Sequence, residues 1–302
     1  MTTRRPLLLA LLALLALAAV APGRGQPASA TFRPALLNSF SAAYTSSASG
    51  GLTRGDQAAG DVALTRFTFS TAGRLPLGAG LRGTAGLAYE RTTLDAAAGT
   101  ALPGSVQEVS LALGLQGSWT PAWAWGAFLR PGFYGDFQQL DGDSFNAPLF
   151  LAAFYTPRPG LTWVFGLSAN AFNDQPVLPA AGVRWQLAPA WELEVGFPRT
   201  GVTYRVDPGL AWQAGLSVVG GNYRITDSLG VPAPGIARLA NTYLGLTEVR
   251  VGGGLTATFA GGLGLELSAG VTILRRFDYP DRHYRLSGDG VGWIRLALDR
   301  RF

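Results

Sequence analysis

The chain has one histidine. His283 stands in DYPDRHYR with Asp278, Asp281 and Arg282 around it, so an Asp–His pair that activates a hydroxyl or a water is the general-base chemistry on offer. No serine sits in a G-x-S-x-G setting to be activated, and the stretch has the composition of a solvated loop. Glu192 and Glu194 are two apart, which in a strand places both carboxylates on one face, as acid–base work requires. Arginines are available nearby to bind them, and catalysis is not expected there. Asp141 and Asp143 (DGD) could hold calcium weakly or simply close a turn. One histidine with scattered aspartates gives no metal-ligand spacing, and Gly252 to Gly254 precedes no strand-to-helix transition, so it is no phosphate loop. The absence of cysteine excludes disulfides, zinc–thiolate sites and thiol nucleophiles. The expectation is a chain with no metal, no cofactor and no enzymatic activity; a hydrolase reading would have to run through His283.

The elements that carry these residues follow from period and composition. With 41 glycines and 19 prolines spread along 302 residues, few windows sustain a long helix. In Glu108 to Trp119 (EVSLALGLQGSW) the odd positions Val109, Leu111, Leu113 and Leu115 are apolar and the even ones small or polar, the period of a strand between two media. The same alternation recurs in Leu161–Leu167, Trp191–Phe197, Leu210–Val218 and Leu263–Ile273. It weakens in Val62–Ser70, where Val62, Leu64, Phe67 and Phe69 break phase and suggest a bulge. Short connections (Thr71–Pro76, Thr120–Pro121, Pro157–Gly160, Ala188–Ala190, Asp207–Gly209, Ala260–Gly262) alternate with longer ones (Ala48–Ala59, Asp95–Pro103, Leu140–Ala147, Asn173–Pro176, Thr226–Arg238, Pro280–Asp289). With a first strand near Leu37–Ser47 and a last near Val291–Phe302 this gives 14 strands, or 12 if Val202–Val206 is not a strand of its own.

The ends and the charge set the compartment. MTTRRP precedes a 15-residue apolar run, Leu7–Ala21, and Ala28-Ser29-Ala30 fits an A-x-A cleavage site. That run falls short of the roughly 20 residues that span a bilayer, so residues 1–30 read as a signal peptide cleaved after Ala30. Removing Arg4, Arg5 and Arg24 takes the formal charge from +5 to +2. No basic stripe points to nucleic acid. An almost continuous face of Leu, Val, Trp and Phe would aggregate in water and is required in lipid. Aromatics gather near strand ends (Trp119, Trp123, Trp125, Tyr155, Trp185, Trp191, Tyr279) as an interfacial girdle does. The reading is therefore an all-β, antiparallel up-and-down transmembrane barrel over residues 31–302, in contact with outer-membrane lipid.

If the leucine phase faces lipid, the other phase builds the lumen. Its charged members are Arg82, Glu90, Glu108, Arg130, Asp136, Arg184, Glu192, Glu194, Glu248, Arg250, Glu266, Arg276, Asp278, Arg295 and Asp299. Both signs are mixed, which suits cross-strand ion pairs more than a filter for one ion sign. A barrel of this size can leave a channel. The expected function is a passive or substrate-selective pore for small solutes; the alternative is a closed structural or adhesive surface barrel. Oligomeric state is not readable.

Two resemblances support this. The ending GVGWIRLALDRRF, with Ile294, Leu296, Leu298 and Phe302 in phase, resembles the C-terminal targeting strand of outer-membrane barrels, departing from it at Arg300. The resemblance implies the barrel-assembly machinery and periplasmic chaperones as partners during biogenesis. The run from YERTTLD (Tyr89–Asp95) through the Trp-rich hairpin, NAPLFLAAFYTPRPGLTW (Asn146–Trp163) and GFPRTGVTYR (Gly196–Arg205) resembles an uncharacterised family of exported outer-membrane barrels. That resemblance implies the fold and assigns no activity.

Overall fold

The computed structural model describes residues 38–78, 80–288 and 290–302. The signal segment, with Ala28 and Ala30, and Leu37 of the expected first strand lie outside the described residues. Among the described residues, 17 hydrogen-bonded segments trace fourteen staves, three of them interrupted. In chain order they are β1 (Ser39–Arg54), β2 (Gln57–Pro76), β3 (Leu81–Ala96), β4 (Ser105–Ser118) and β5 (Trp123–Leu129, continued by Gly132–Gly135). Next come β6 (Phe145–Asn146 with Leu149–Arg158), β7 (Leu161–Ala169), β8 (Val177–Ala188), β9 (Trp191–Gly196) and β10 (Arg199–Asp207). The last are β11 (Leu210–Ile225), β12 (Thr242–Phe259), β13 (Leu263–Tyr279) and β14 (Tyr284–Gly288 with Val291–Arg301). Each stave pairs antiparallel with the next, and β14 closes on β1 through Ser39↔Arg301 to Ser47↔Trp293. The fold is a closed transmembrane β-barrel of fourteen staves. Arg199–Asp207 is a stave in its own right, reached from β9 by the two-residue turn Phe197-Pro198.

Local chemistry sets the turns at the inner end, where connections are short. Gly209 donates its N–H to the Asp207 side chain at 2.7 Å in the DPG turn. Gly261 and Gly262 take φ of +79° and +75°, a left-handed pair that lets β12 reverse into β13. At the outer end the staves run further than their apolar alternation does. The expected loop Ala48–Ala59 is instead a hairpin continuing to Arg54↔Gln57. Likewise Tyr284–Gly288, inside the expected loop Pro280–Asp289, pairs with β13. These extensions are polar or glycine-rich on their outward phase, so no lipid-facing leucine advertises them.

Two of the register shifts bear on the lumen. In β1, Ser47 pairs with Leu64 but Gly50 with Val62, so an extra residue is accommodated near Ala48–Ser49. In β13, Arg250 pairs with Thr272 but Val249 with Leu274, so Ile273 is the extra residue. No bulge is needed at Val62–Ser70, where β2 pairs with β3 in unbroken register. Val62 and Leu64 share the inward phase with Arg66, while Phe67 and Phe69 face out. The broken pattern there marks an apolar lumen.

The outer end is narrower than the rest. β5 bends at Arg130-Pro131, and beyond the bend Gly135 meets Arg224 of β11 in a parallel bridge. Asp136 adds to it by donating its N–H to the Arg224 carbonyl at 3.0 Å. Above that level β11–β14 and β1–β5 form a smaller closed ring, and β6–β10 are left out of it. Asp136 is 3% exposed and locks the seam: its carboxylate accepts from Thr226 N–H and Oγ1 and from Asp227 N–H, each at 2.8 Å. Asp136→Ala is expected to speed amide hydrogen exchange at Thr226 and Asp227 by at least tenfold, because three donors lose one acceptor. Unchanged exchange there would show that the parallel bridge holds without the carboxylate.

Candidate functional site: the barrel lumen

The inward phase of the staves builds three tiers. The outermost is apolar. Leu244 and Leu246 of β12, Phe277 and Tyr279 of β13, Leu286 of β14, Val62 of β2 and Ile225 of β11 are all essentially unexposed. Loop residues Ala101, Leu102 and Leu239 cap this cluster from outside. The Tyr279 hydroxyl donates to the Ala101 carbonyl at 2.9 Å, which satisfies its one polar atom and pins the loop. Tyr279 was expected in the aromatic girdle; it belongs to this core instead. Among the described residues, the outer ring is therefore packed with apolar side chains.

Below the core lies an ionic belt. Glu248 is completely buried between Arg250 Nη2 at 2.6 Å and Arg275 Nη2 at 2.9 Å. Arg275, 1% exposed, also donates to Ser47 Oγ at 2.7 Å and to the Val62 carbonyl at 3.1 Å. Arg66 pairs with Glu90 at 3.3 Å, and the Tyr223 hydroxyl donates to Glu90 at 3.1 Å. Glu108 accepts from Arg130 and from Ser110 Oγ, both at 2.6 Å. Cross-strand neighbours on one face of a sheet make such pairs. Burial this deep requires them, because an isolated buried charge is far too costly.

The third tier is a polar cavity of about 500 Å³ under the belt, with Arg66, Arg250 and Glu90 in its roof and Thr45, Thr68, Arg199, Gln213, Glu266, Ser268, Trp293 and Arg295 along its walls. Arg295 pairs with Glu266 at 2.9 Å, whereas Arg199 bonds the neutral Gln213 at 2.5 Å. Towards the inner rim Glu192 accepts Arg205 at 2.6 Å and lies 3.6 Å from Arg184, which is 3.7 Å from Glu194. That arginine clamp binds both carboxylates of the Glu192/Glu194 pair. A second inward stretch is aromatic: Phe128 of β5 stacks on Phe150 of β6, with ring centroids 6.4 Å apart.

The expected lumenal residues distribute as follows. Glu90, Glu108, Arg130, Glu248 and Arg250 meet in or beside the belt, and Glu266 and Arg295 line the cavity. Arg82 and Asp299 lie on the inward phase near the inner ends of β3 and β14. Asp136 is the seam lock described above and is not an ion-pair partner of Arg130. Arg276 and Asp278 are corrected: the bulge at Ile273 turns Arg275 and Phe277 inward, so Arg276 and Asp278 point outward, and Asp278 binds Arg285 at 2.9 Å. Sequence reading missed Arg66, Arg199, Tyr223 and Arg275. The available signal was the phase of Val62, Leu244 and Leu246, apolar residues in register with lumenal charges.

The loop chemistry resolves into structural contacts. Asp281 accepts the Thr242 hydroxyl at 2.5 Å and lies 3.7 Å from Arg282, while Asp278 is held by Arg285; both aspartates beside His283 thus have partners other than the imidazole. Asp143 and Asp141 lie 3.3 and 3.6 Å from Arg224 Nη2. The Ser144 hydroxyl, donating to Asp141 at 2.7 Å, and then Arg224 hold the Asp141 carboxyl below the usual carboxylate range.

On the outward phase Val109, Leu111, Leu151, Phe165, Leu167, Leu267 and Ile294 are exposed as a band. At its inner edge aromatic pairs meet across staves: Trp123 stacks on Tyr155 at 4.6 Å and Trp191 packs tilted against Tyr204 at 4.7 Å between ring centroids. Ile294, Leu296, Leu298 and Phe302 share the outward phase of β14, and Arg300 lies over the Phe302 ring at 4.9 Å.

Among solved structures, the chain is similar to the COG4313 outer membrane channel from Pseudomonas putida F1, at 12% identity over 94% of this chain and 100% of that one, with a TM-score of 0.49. It is also similar to a Pseudomonas aeruginosa FadL homologue (10% identity, 87% and 89% covered, TM-score 0.45). A third is the Pseudomonas putida toluene transporter TodX (11% identity, 88% and 90% covered, TM-score 0.41). A comparison with curated proteins gave no match. A family model covers residues 81–286, well over half of the chain and every stave from β3 to β13, and on that match the chain belongs to the family described as Domain of unknown function (DUF6268).

Proposed function

We propose that this protein is an outer-membrane channel that is selective for its solute and shut to bulk water along its axis. The observation that carries the proposal is the placement of the cavity, beneath a sealed outer end and beside a low stretch of wall. β9 has six residues, which at ~3.3 Å each and a tilt near 45° climb only about 14 Å of an apolar band about 25 Å tall. Pairing of β8 to β9 starts at Gly182↔Gly196 and pairing of β10 to β11 stops at Arg199↔Ser217. Above that level, among the described residues, Val177–Ala181 and most of Val218–Ile225 have no stave beside them on the facing sides. Leu178, Phe197, Leu216 and Val218 edge the notch. A solute with an apolar part has a side route to the polar cavity there, while ions have none through the apolar core.

The lipid-facing reading has its own test. Leu111→Arg, in mid-stave on the outward phase, is expected to cost about 2–4 kcal/mol in bilayer refolding. The same change at the exposed loop residue Leu140 should cost almost nothing, and equal costs would remove the membrane assignment of the band. For the channel, the refolded mature chain in planar bilayers is expected to show no stable ohmic steps, while proteoliposomes take up small organic solutes above protein-free controls. Large, salt-proportional steps would overturn the axial seal. A folded barrel that moves no solute would overturn the channel in favour of a closed surface barrel.

A further inference from the structure

The cavity roof and walls carry more positive charge and more donors than they can use. Among the described residues, Arg66, Arg199, Arg250 and Arg295 line the cavity against two carboxylates, Glu90 and Glu266, while Glu248 above the roof is shared between Arg250 and Arg275. Arg199 has a neutral partner. Arg66 and Arg250 are each more than nine-tenths buried, yet among the described residues Arg66 Nη2 and Arg250 Nε have no acceptor, and neither does the indole N–H of Trp293, over whose ring Arg250 lies at 5.5 Å. Buried donors without acceptors are rare in native proteins because each costs desolvation free energy. Here three belong to residues lining one cavity of a size suited to a small molecule. The same cavity meets Val219 on the inward phase of β11 and, at the notch, Leu216 and Val218 of its outward phase, so its chemistry is cationic at the roof and apolar toward the notch.

We propose that this cavity is a binding site for small organic anions, a carboxylate with a hydrocarbon body, seated with the carboxylate toward Arg199 and the Arg66/Arg250 roof and the body against β11. The site names the solute class of the channel proposed above and rests on that reading for its physiological role. Low local dielectric strengthens each charge-assisted bond from an arginine to the ligand carboxylate. Glu90 and Glu266 are tied to Arg66 and Arg295, so they repel the anion less than free carboxylates would. A cation of the same shape meets the two surplus guanidinium groups and is rejected.

The test is titration calorimetry of the refolded barrel in detergent with hexanoate, hexylamine and inorganic phosphate as probes. Hexanoate is expected to bind at least tenfold more tightly than either of the other two. Arg199→Gln, which removes a lumen-exposed charge bonded only to Gln213, should weaken hexanoate at least fivefold and leave the compact mobility of the unheated protein on a gel unchanged. Hexylamine binding as well as hexanoate, or no hexanoate binding by a folded barrel, would overturn the site. Phosphate binding as well as hexanoate would overturn its organic character. Binding in detergent without uptake by proteoliposomes would leave the anion site standing and remove the channel.

Discussion

Glu248→Ala is expected to destabilise the barrel by about 3–5 kcal/mol, the largest effect of any single charge removal in the lumen. The carboxylate is unexposed and holds Arg250 and Arg275 at once. Without it two guanidinium groups remain in a dry layer with no counter-charge, and Arg275 cannot leave because its other bonds, to Ser47 and Val62, tie it to β1 and β2. The cost comes from stranding those charges, so the ion pair itself need not be worth that much relative to an apolar replacement. Two comparisons separate these. Glu248→Gln with Arg275→Gln removes one charge of each sign and should recover most of the loss. Glu266→Ala, whose partner Arg295 is a third exposed, should cost under about 1 kcal/mol. Guanidinium unfolding midpoints in lipid vesicles measure all three; a Glu248→Ala shift no larger than that of Glu266→Ala would mean that water reaches the belt.

Phe277→Ala is expected to cost about 3–5 kcal/mol as well, and to change behaviour besides stability. Phe277 is wholly buried among Leu246, Leu286 and their neighbours, a close-packed cluster that cannot collapse onto the missing ring because the surrounding staves are hydrogen-bonded in place. Leu267 lies on the same stave but faces outward and is 60% exposed. Leu267→Ala gives up about 1–2 kcal/mol of methyl-group transfer and leaves no cavity. The two variants should therefore differ both in unfolding midpoint and in bilayers, where only Phe277→Ala is expected to add brief current bursts. Bursts from both, or from neither, would detach the outer core from the seal.

What the sequence made legible follows from how alternation works. Two-residue periodicity reports that a strand separates two media, and it reads most clearly where one medium is lipid and the other polar. Leu111 and Glu108 are such positions, and so are Trp191 and Glu192. The count of fourteen staves came from the same periodicity together with turn residues such as the Asp207-Pro208-Gly209 and Ala260–Gly262 connections. The contrast fails where both media are apolar. Val62, Leu64, Leu244 and Leu246 look out of phase although their staves are regular, because the outer lumen is as greasy as the lipid. A single extra residue is equally invisible in a pattern of period two: Ile273 fits the outward series, yet it exchanges the roles of Arg275 and Arg276. The cavity was least legible of all, since Arg66, Arg199 and Trp293 come from three distant stretches that only barrel closure brings together.

The parallel bridge has a consequence for how the barrel matures. Among the described residues, every stave-to-stave pairing but this one and the final closure joins neighbours in the sequence, so hairpins can be added one after another. The seam joins segments 90 residues apart, as the bond from Thr226 to Asp136 shows, and must wait until five further staves have been laid down beside β5. Until β11 arrives, β5 carries an unpaired edge and the apolar side chains of the outer ring have no opposite wall. The outer seal is thus the late product of assembly, and an arrested intermediate stopping before β11 would expose both a sticky edge and an unsealed mouth. Before β11 is in place the barrel is therefore an open trough rather than a closed ring at its outer end.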